Sequence, residues 1–210
     1  PAFILKTASK KTEHYNPQGG LLLIELSLNH RRTIWDATRE FVDYFNDQMN
    51  FVSKLANRPK QSLVIRLHYS YRYLNWSEVA RWQEFDSTLK IDNGDVAIEN
   101  LIADSRLVVH SYDSTGILET LSQNIPTLAF WQNGFDHLSE SAKPYYQLLV
   151  DAGIVHLTAE SATKKVNEVW NDVDGWWGQA SVQDVRKKFC ERYARQSKNP
   201  VREIKKVLQG

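Results

Sequence analysis

Residues 106–131 read RLVVHSYDSTGILETLSQNIPTLAFW, and the change of rhythm inside that stretch decides the fold class. Leu107, Val108 and Val109 form a short apolar run rich in β-branched side chains, as a strand buried on both faces requires. Residues 110–116 then carry hydroxyls and little bulk. Ile117, Leu118 and Leu121 follow at helical spacing, with Glu119 in the first turn. Asn124 and Pro126 stop the helix, and residues 127–130 open a second buried strand. A helix that starts directly after a strand aims its free N–H groups, and the positive end of its dipole, at the strand's carboxyl edge. That geometry suits a phosphate. Ser114 and Thr115 can add hydroxyl donors, and Glu119, one turn further in, can take the two hydroxyls of a ribose. An ordinary capped βαβ unit uses the same residues, because Ser and Thr are favoured N-caps and an early Glu complements the dipole.

Outward from this unit the alternation continues in both directions. Strands are expected at 21–28, 63–67, 89–92, 107–109, 127–130 and 154–157. Helices are expected at 35–55 (ended by Asn57-Arg58-Pro59), from a cap at Asn75 or Ser77 through Phe85, and at 96–103, 142–150, 162–171, 182–196 and 201–208. Six strands alternating with helices imply α/β architecture: a doubly wound parallel sheet with helices on both faces, Rossmann-like. Its usual order sets the first and fourth strands side by side at the switch point. Glu25 interrupts the first strand, so one face is expected to be accessible there. Residues 1–20 read as a linker and 21–210 as a single α/β domain including the C-terminal helices.

Bulk properties narrow the classes. The chain has 210 residues and a formal net charge of +1, which gives no reason to expect affinity for nucleic acid. The single cysteine, Cys190, excludes a disulfide framework and fits a reducing cytoplasm. No apolar run approaches a membrane span, and no signal peptide precedes the first strand. The first residues, Pro1-Ala2-Phe3, lack an initiator Met, so a piece of a longer protein is expected. Trp76, Trp82, Trp170, Trp176 and Trp177 read as core packing before they read as stacking platforms.

Ligands of such sheets bind outside the strands' carboxyl ends. The residues expected there are His30, Arg31 and Arg32 after the first strand, and His68, Tyr69 and Arg72 after the second. Asp92, Asn93 and Gly94 follow the third strand. Ser111, Asp113, Ser114 and Thr115 follow the fourth, and Gln132, Asn133, Asp136 and His137 the fifth. Basic groups converging on a hydroxyl-rich helix start suit a diphosphate. Arg66, inside an apolar strand, needs a counter-charge from a carboxylate or a ligand. His68 and His137 are the first histidines to test. The sequence has no GxGxxG after the first strand, no P-loop, no HExxH, no paired CxxC and no GxSxG elbow. No metal or cofactor is expected.

The hydroxyl-rich turn, the helix with its early Glu and the following PTLAFW resemble the nucleotide-binding C-terminal half of GT-B glycosyltransferases. The blocks HSYDSTGILETLSQNIPTLAFW (110–131), FDHLSESAKPYYQLLVDAGIVH (135–156), VWNDVDGWW (169–177) and VRKKFCERYA (185–194) resemble, more closely, a family of transferases of bacterial O-antigen and surface-polysaccharide loci. The resemblance covers the chain from Leu21 onward. It implies the donor-binding domain of a transferase that uses a nucleotide-activated sugar. Ser114 and Thr115 would hold the phosphates, Glu119 the ribose, and Arg66 and His68 the diphosphate side. The loop from Asn133 to Leu138, with Asp136, would face the donor sugar; Arg31 and Ser111 join the candidate binding residues from their places at the strand ends alone. A His-Pro pair is familiar at the second-strand position; here it is His68-Tyr69. The acceptor site and the usual catalytic base would lie in a missing N-terminal acceptor domain. The acceptor would be lipid-linked or at the membrane surface, and the place of work the inner membrane face. Two other classes remain open: a non-catalytic α/β binding or regulatory module, and a GT-B-like nucleotide-sugar epimerase.

Overall fold

The computed structural model describes residues 15–26, 37–73, 77–197 and 199–209. His30, Arg31 and Arg32, placed above at the first strand's carboxyl end, lie outside the described residues, as does Trp76. The strands are β1 (Gly20–Ile24), β2 (Leu63–Arg66), β3 (Lys90–Asp92), β4 (Ser105–His110), β5 (Thr127–Phe130) and β6 (Val155–His156). All neighbours pair in parallel, in the order β3-β2-β1-β4-β5-β6. The first and fourth strands are therefore adjacent, and chain direction across the sheet reverses between them, as the alternating pattern implies.

Helices connect the strands and flank the sheet: α1 (Ala37–Ser53), α2 (Asn57–Gln61), α3 (Glu78–Phe85), α4 (Ile98–Ala103) and α5 (Thr115–Ser122). They continue with α6 (Lys143–Asp151), α7 (Ala159–Val169), α8 (Val173–Trp177), α9 (Ala180–Tyr193) and α10 (Pro200–Gln209). One expectation needs correcting here. Asn57-Arg58-Pro59 does more than stop α1, since it starts α2 with Pro59 in the first turn, where a missing N–H leaves no hydrogen bond unmade. Among the described residues no helix is long and apolar enough to cross a membrane.

Among the described residues the two faces of the sheet carry clusters of unequal size. Alternate residues Leu21, Leu23, Leu63, Ile65, Leu107 and Val109 enter a large core that also holds Phe51, Trp82, Phe130 and Phe189. Trp131, Trp170, Trp176 and Trp177 are buried in that core as well, so these tryptophans are packing residues. The opposite face carries Leu22, Ile24, Val108 and Ile125 in a separate, small cluster. Among the described residues, Ile98, Leu101 and Ile102 of α4, with Tyr15, Val64 and Tyr112, pack against it. Tyr15 is held there because the Asn16 N–H donates to the Ser105 carbonyl (3.1 Å) and the Tyr15 hydroxyl to Asp174 (2.7 Å).

A second correction concerns Glu25. It does not mark an accessible face but is 1% exposed, and its carboxyl accepts the indole N–H of Trp82 at 2.8 Å. Burial pushes its pKa up to about 8, against the Trp82 hydrogen bond and with help from Glu78. A carboxyl that keeps its proton at neutral pH can sit inside without a cation beside it.

Candidate functional site

Strand register builds the site. Asp92, Arg66, Ile24 and His110 form one row across β3, β2, β1 and β4. Residues aligned in parallel strands point to the same face, so this row ends the side of the sheet that carries the small cluster. Between it, α4 and α5 lies a cavity of about 550 Å³. Its floor includes Ile24 and His110; Ile98 and Ile102 of α4 line one wall, and His68, Tyr69 and Ser70 stand at β2's end. The other wall is one face of α5, with Ser114, Thr115, Gly116, Glu119, Thr120 and Gln123 in succession. The volume is typical of a small-molecule site.

The start of α5 brings polar groups to the cavity. Ser114 is extended (φ −152°) and caps the helix, its hydroxyl oxygen accepting the Gly116 N–H at 3.1 Å. The Ile117 N–H donates to the Ser114 carbonyl. That leaves the Thr115 amide, with the Ser114 and Thr115 hydroxyls, at the cavity's edge, where the helix dipole is positive. Gly116 allows the helix to settle on the imidazole of His110: a Cβ there would lie 3.0 Å from His110 Cε1 and 3.2 Å from Nδ1. His110 is fully buried, and desolvation pushes its pKa down to about 3, so it is a neutral floor.

His68 offers a different donor. The Ser70 N–H donates to His68 Nδ1 at 3.3 Å, and the Ser70 hydroxyl lies 2.8 Å from the same nitrogen. With Nδ1 accepting, the proton of the neutral ring sits on Nε2. Burial, then the charge of Arg66, holds the His68 pKa below its ordinary value and keeps the ring neutral. It can hydrogen-bond an anion without adding charge.

Of the residues expected in the site, Ser114, Thr115, Glu119 and His68 do line one cavity. Arg31 lies outside the described residues. Arg66 is not part of the lining: its guanidinium is ion-paired with Asp92, both side chains being largely buried (14% and 9% exposed). Burial drives the Asp92 pKa up, but hydrogen bonds from Arg66, Val96 N–H and Gly94 N–H outweigh it and hold the carboxyl below its usual range. The counter-charge that Arg66 required is thus a carboxylate. Arg72 is likewise tied across, to the Asn93 carbonyl (2.6 Å) and to Asp95. Ser111 turns inward, 2% exposed, donating to the Ile24 carbonyl (3.0 Å) and lying 2.8 Å from the Tyr44 hydroxyl. Asn133 and Asp136 are exposed and outside the cavity. Asn133 (φ 65°) and Gly134 (φ 55°) are both left-handed, the backbone that an Asn-Gly turn favours.

Tyr112, Gly116, Gln123 and the α4 isoleucines were not expected in the site. A signal existed for two of these: Glu119 and Gln123 are four apart on α5, as are Ile98 and Ile102 on α4, and i, i+4 pairs share a helix face.

Comparisons with known proteins agree with this architecture. A family model described as "LIC12162 family transferase" matches residues 1–208. No curated protein matches the chain. Among solved structures, the wall teichoic acid polymerase TagF aligns with 93% of this chain and 44% of its own, at 13% identity and TM-score 0.52. A TagF variant soaked with CDPG aligns with 93% of this chain and 43% of its own (13% identity, TM-score 0.47). WaaG, a glycosyltransferase involved in lipopolysaccharide biosynthesis, aligns with 89% of this chain and 46% of its own (15% identity, TM-score 0.40). The chain therefore spans less than half the length of each.

Proposed function

Because the chain belongs to the LIC12162 family of transferases, we propose that it is the donor-binding domain of a glycosyltransferase, taking a nucleotide-linked sugar for surface-polysaccharide assembly. One observation carries the reading: a cavity of about 550 Å³ at the sheet's switch point joins a helix start, a neutral His donor and a carboxylate on the same α5 face. The diphosphate sits at the start of α5, on the Thr115 amide and the hydroxyls of Ser114 and Thr115. His68 Nε2–H reaches it from β2's end. Glu119 takes the ribose hydroxyls, and the apolar slot beside Ile98, Ile102 and Tyr112 takes the base. In the transfer, the bond from the anomeric carbon to the diphosphate breaks, and the donors at α5 stabilise the charge that builds on the leaving group. The acceptor, a lipid-linked or membrane-surface glycan, binds to another part of the enzyme, so this domain binds donor and does not complete turnover alone.

A thermal-shift series against UDP, GDP, CMP and CDP sugars tests the proposal. A ligand at a hundred times its dissociation constant adds about 2.7 kcal/mol of stability. Glu119→Ala should weaken nucleotides more than inorganic pyrophosphate. A folded sample whose melting responds to none of these ligands would rule out donor binding.

A further inference from the structure

A second cavity opens at the other end of the sheet, where β1, β2 and β4 begin. Arg106 and His110 lie four residues apart on β4, so about 13 Å of strand separates this cavity from the one between α4 and α5. It holds about 430 Å³ and is lined by two guanidinium side chains, Arg58 and Arg106. Gln18, Gln61, Ser62 and Asn171 supply further polar groups, and among the described residues the lining contains no carboxylate.

Both cations are held by neutral partners. Arg106 Nε donates to the Gly19 carbonyl at 3.0 Å and Nη1 to the Trp170 carbonyl at 3.2 Å. Its guanidinium also lies over the Trp170 ring, 5.1 Å from the centroid. Arg58 Nη1 donates to the side-chain oxygen of Asn171 at 3.2 Å. These bonds orient the two groups and leave their charge uncompensated, since a carbonyl or a carboxamide brings none. Asp172, next to Asn171, is engaged as the cap of α8, its Oδ1 accepting the Gly175 N–H at 2.9 Å. The backbone behind the cavity is tightly drawn. A Cβ on Gly19 would lie 2.1 Å from the Asp104 carbonyl oxygen, and one on Gly20 would lie 2.4 Å from that of Ser62. That close approach fixes the Gly19 carbonyl, which in turn fixes Arg106. The two ends of the sheet therefore differ in sign. Arg66 and Arg72 are paired with Asp92 and Asp95 at the carboxyl ends, and the cavity there is lined by Glu99 and Glu119.

We propose that the amino-end cavity is a binding site for a sugar phosphate monoester, with Arg58 and Arg106 on the phosphate and the carboxamides of Gln18, Gln61 and Asn171 on the sugar hydroxyls. A guanidinium fork matches phosphate oxygens two at a time. A carboxamide both donates and accepts, as a hydroxyl does. The volume falls within the range of small-molecule pockets and exceeds what a bare phosphate would fill. Gln18, Arg58, Gln61 and Asn171 are exposed at the rim, so the ligand enters directly from solvent. The site does not rest on donor binding.

Isothermal titration of this chain with glucose 6-phosphate at low salt should saturate with a dissociation constant below about 1 mM. Added salt should weaken it, because the rim is exposed. Arg58→Gln, a change confined to an exposed side chain, should weaken binding at least about fivefold, as should Arg106→Lys, which keeps the charge and removes the fork. Glucose should not bind, and inorganic phosphate should bind at least about fivefold more weakly than glucose 6-phosphate. Glu119→Ala, in the other cavity, should leave the constant unchanged. A titration that does not saturate overturns the proposal, as do equal constants for the wild type and both arginine variants. A loss in Glu119→Ala as large as that in Arg58→Gln would put the ligand at the carboxyl ends and overturn it too, and inorganic phosphate binding as tightly as glucose 6-phosphate would overturn the sugar assignment. If no nucleotide shifts the melt while glucose 6-phosphate behaves as stated, donor binding fails and this site stands.

Discussion

The carboxyl ends of β2 and β4 lie on either side of β1 and handle polarity in opposite ways. At β2 the obvious cation, Arg66, is consumed by Asp92 one strand over, and Arg72 by Asn93 and Asp95. At β4 the described lining holds no cation, and an amide, two hydroxyls and a helix dipole stand at the cavity. Formal charge in the sequence therefore marks the place where the fold is pinned, and neutral donors mark the place where a ligand can be received. A paired charge has little left to offer an anion, whereas a helix start has no internal partner for its first amides.

The comparison breaks most visibly if the ion pair is opened. Asp92→Ala should cost about 3 kcal/mol in urea denaturation, because it leaves a guanidinium largely buried and unpaired. Arg66→Ala with Asp92→Ala should cost clearly less than the sum of the two. The donor-induced melting shift should survive Arg66→Ala. A loss of nucleotide binding in that variant, equal to the loss in Thr115→Val, would mean that Arg66 serves the ligand after all.

The buried acid just beyond β1, Glu25, gives the next largest effect. The Glu25 pKa is about 8 in the folded protein, and the unfolded chain releases that proton near 4.5. The folded state thus binds more protons, so its advantage is complete below pH 4.5 and is lost as pH rises towards 8. Melting temperature should fall between pH 6 and 8, by roughly 2 kcal/mol of stability. Glu25→Gln should flatten that slope, and an unchanged slope would place the titration elsewhere.

At β4's end the expected changes are smaller in stability and larger in binding. Gly116→Val should cost about 1–3 kcal/mol by pressing on His110, and should remove the melting shift with every nucleotide. Ser114→Ala should cost about 1 kcal/mol through the lost cap, and Ser114→Gly only a few tenths. If Ser114→Ala leaves nucleotide affinity untouched, the hydroxyl serves the helix alone.

Much of the fold was legible because it depends on period and punctuation. Residues 106–131 alternate strongly enough to fix strand, helix and strand, and the repeat of that alternation fixes a parallel sheet with β1 beside β4. The hydroxyls at 114–115 and Glu119 were legible for the same reason: they are set by distance along one helix. Arg66 and Glu25 were less so. Arg66 announced that it needed a partner, but Asp92 is chosen by register between strands 26 residues apart, which no local pattern encodes. Glu25 looked like an interruption because a carboxyl in a strand is usually charged; burial, helped by the nearby Glu78 and against the Trp82 hydrogen bond, holds the proton in place. Ser111 and Asn133 share a lesson, since a polar residue at a strand's end is as readily claimed by backbone geometry as by a ligand.

Among the described residues the Leu22–Ile24–Val108–Ile125 face is a small cluster, and that has a mechanical consequence. A molecule seated in the cavity would lie against α4, whose Ile98 and Ile102 line it, and would add to the packing on that face. Amide exchange in α4 should slow on loading far more than in α7 or α9, which pack into the large core.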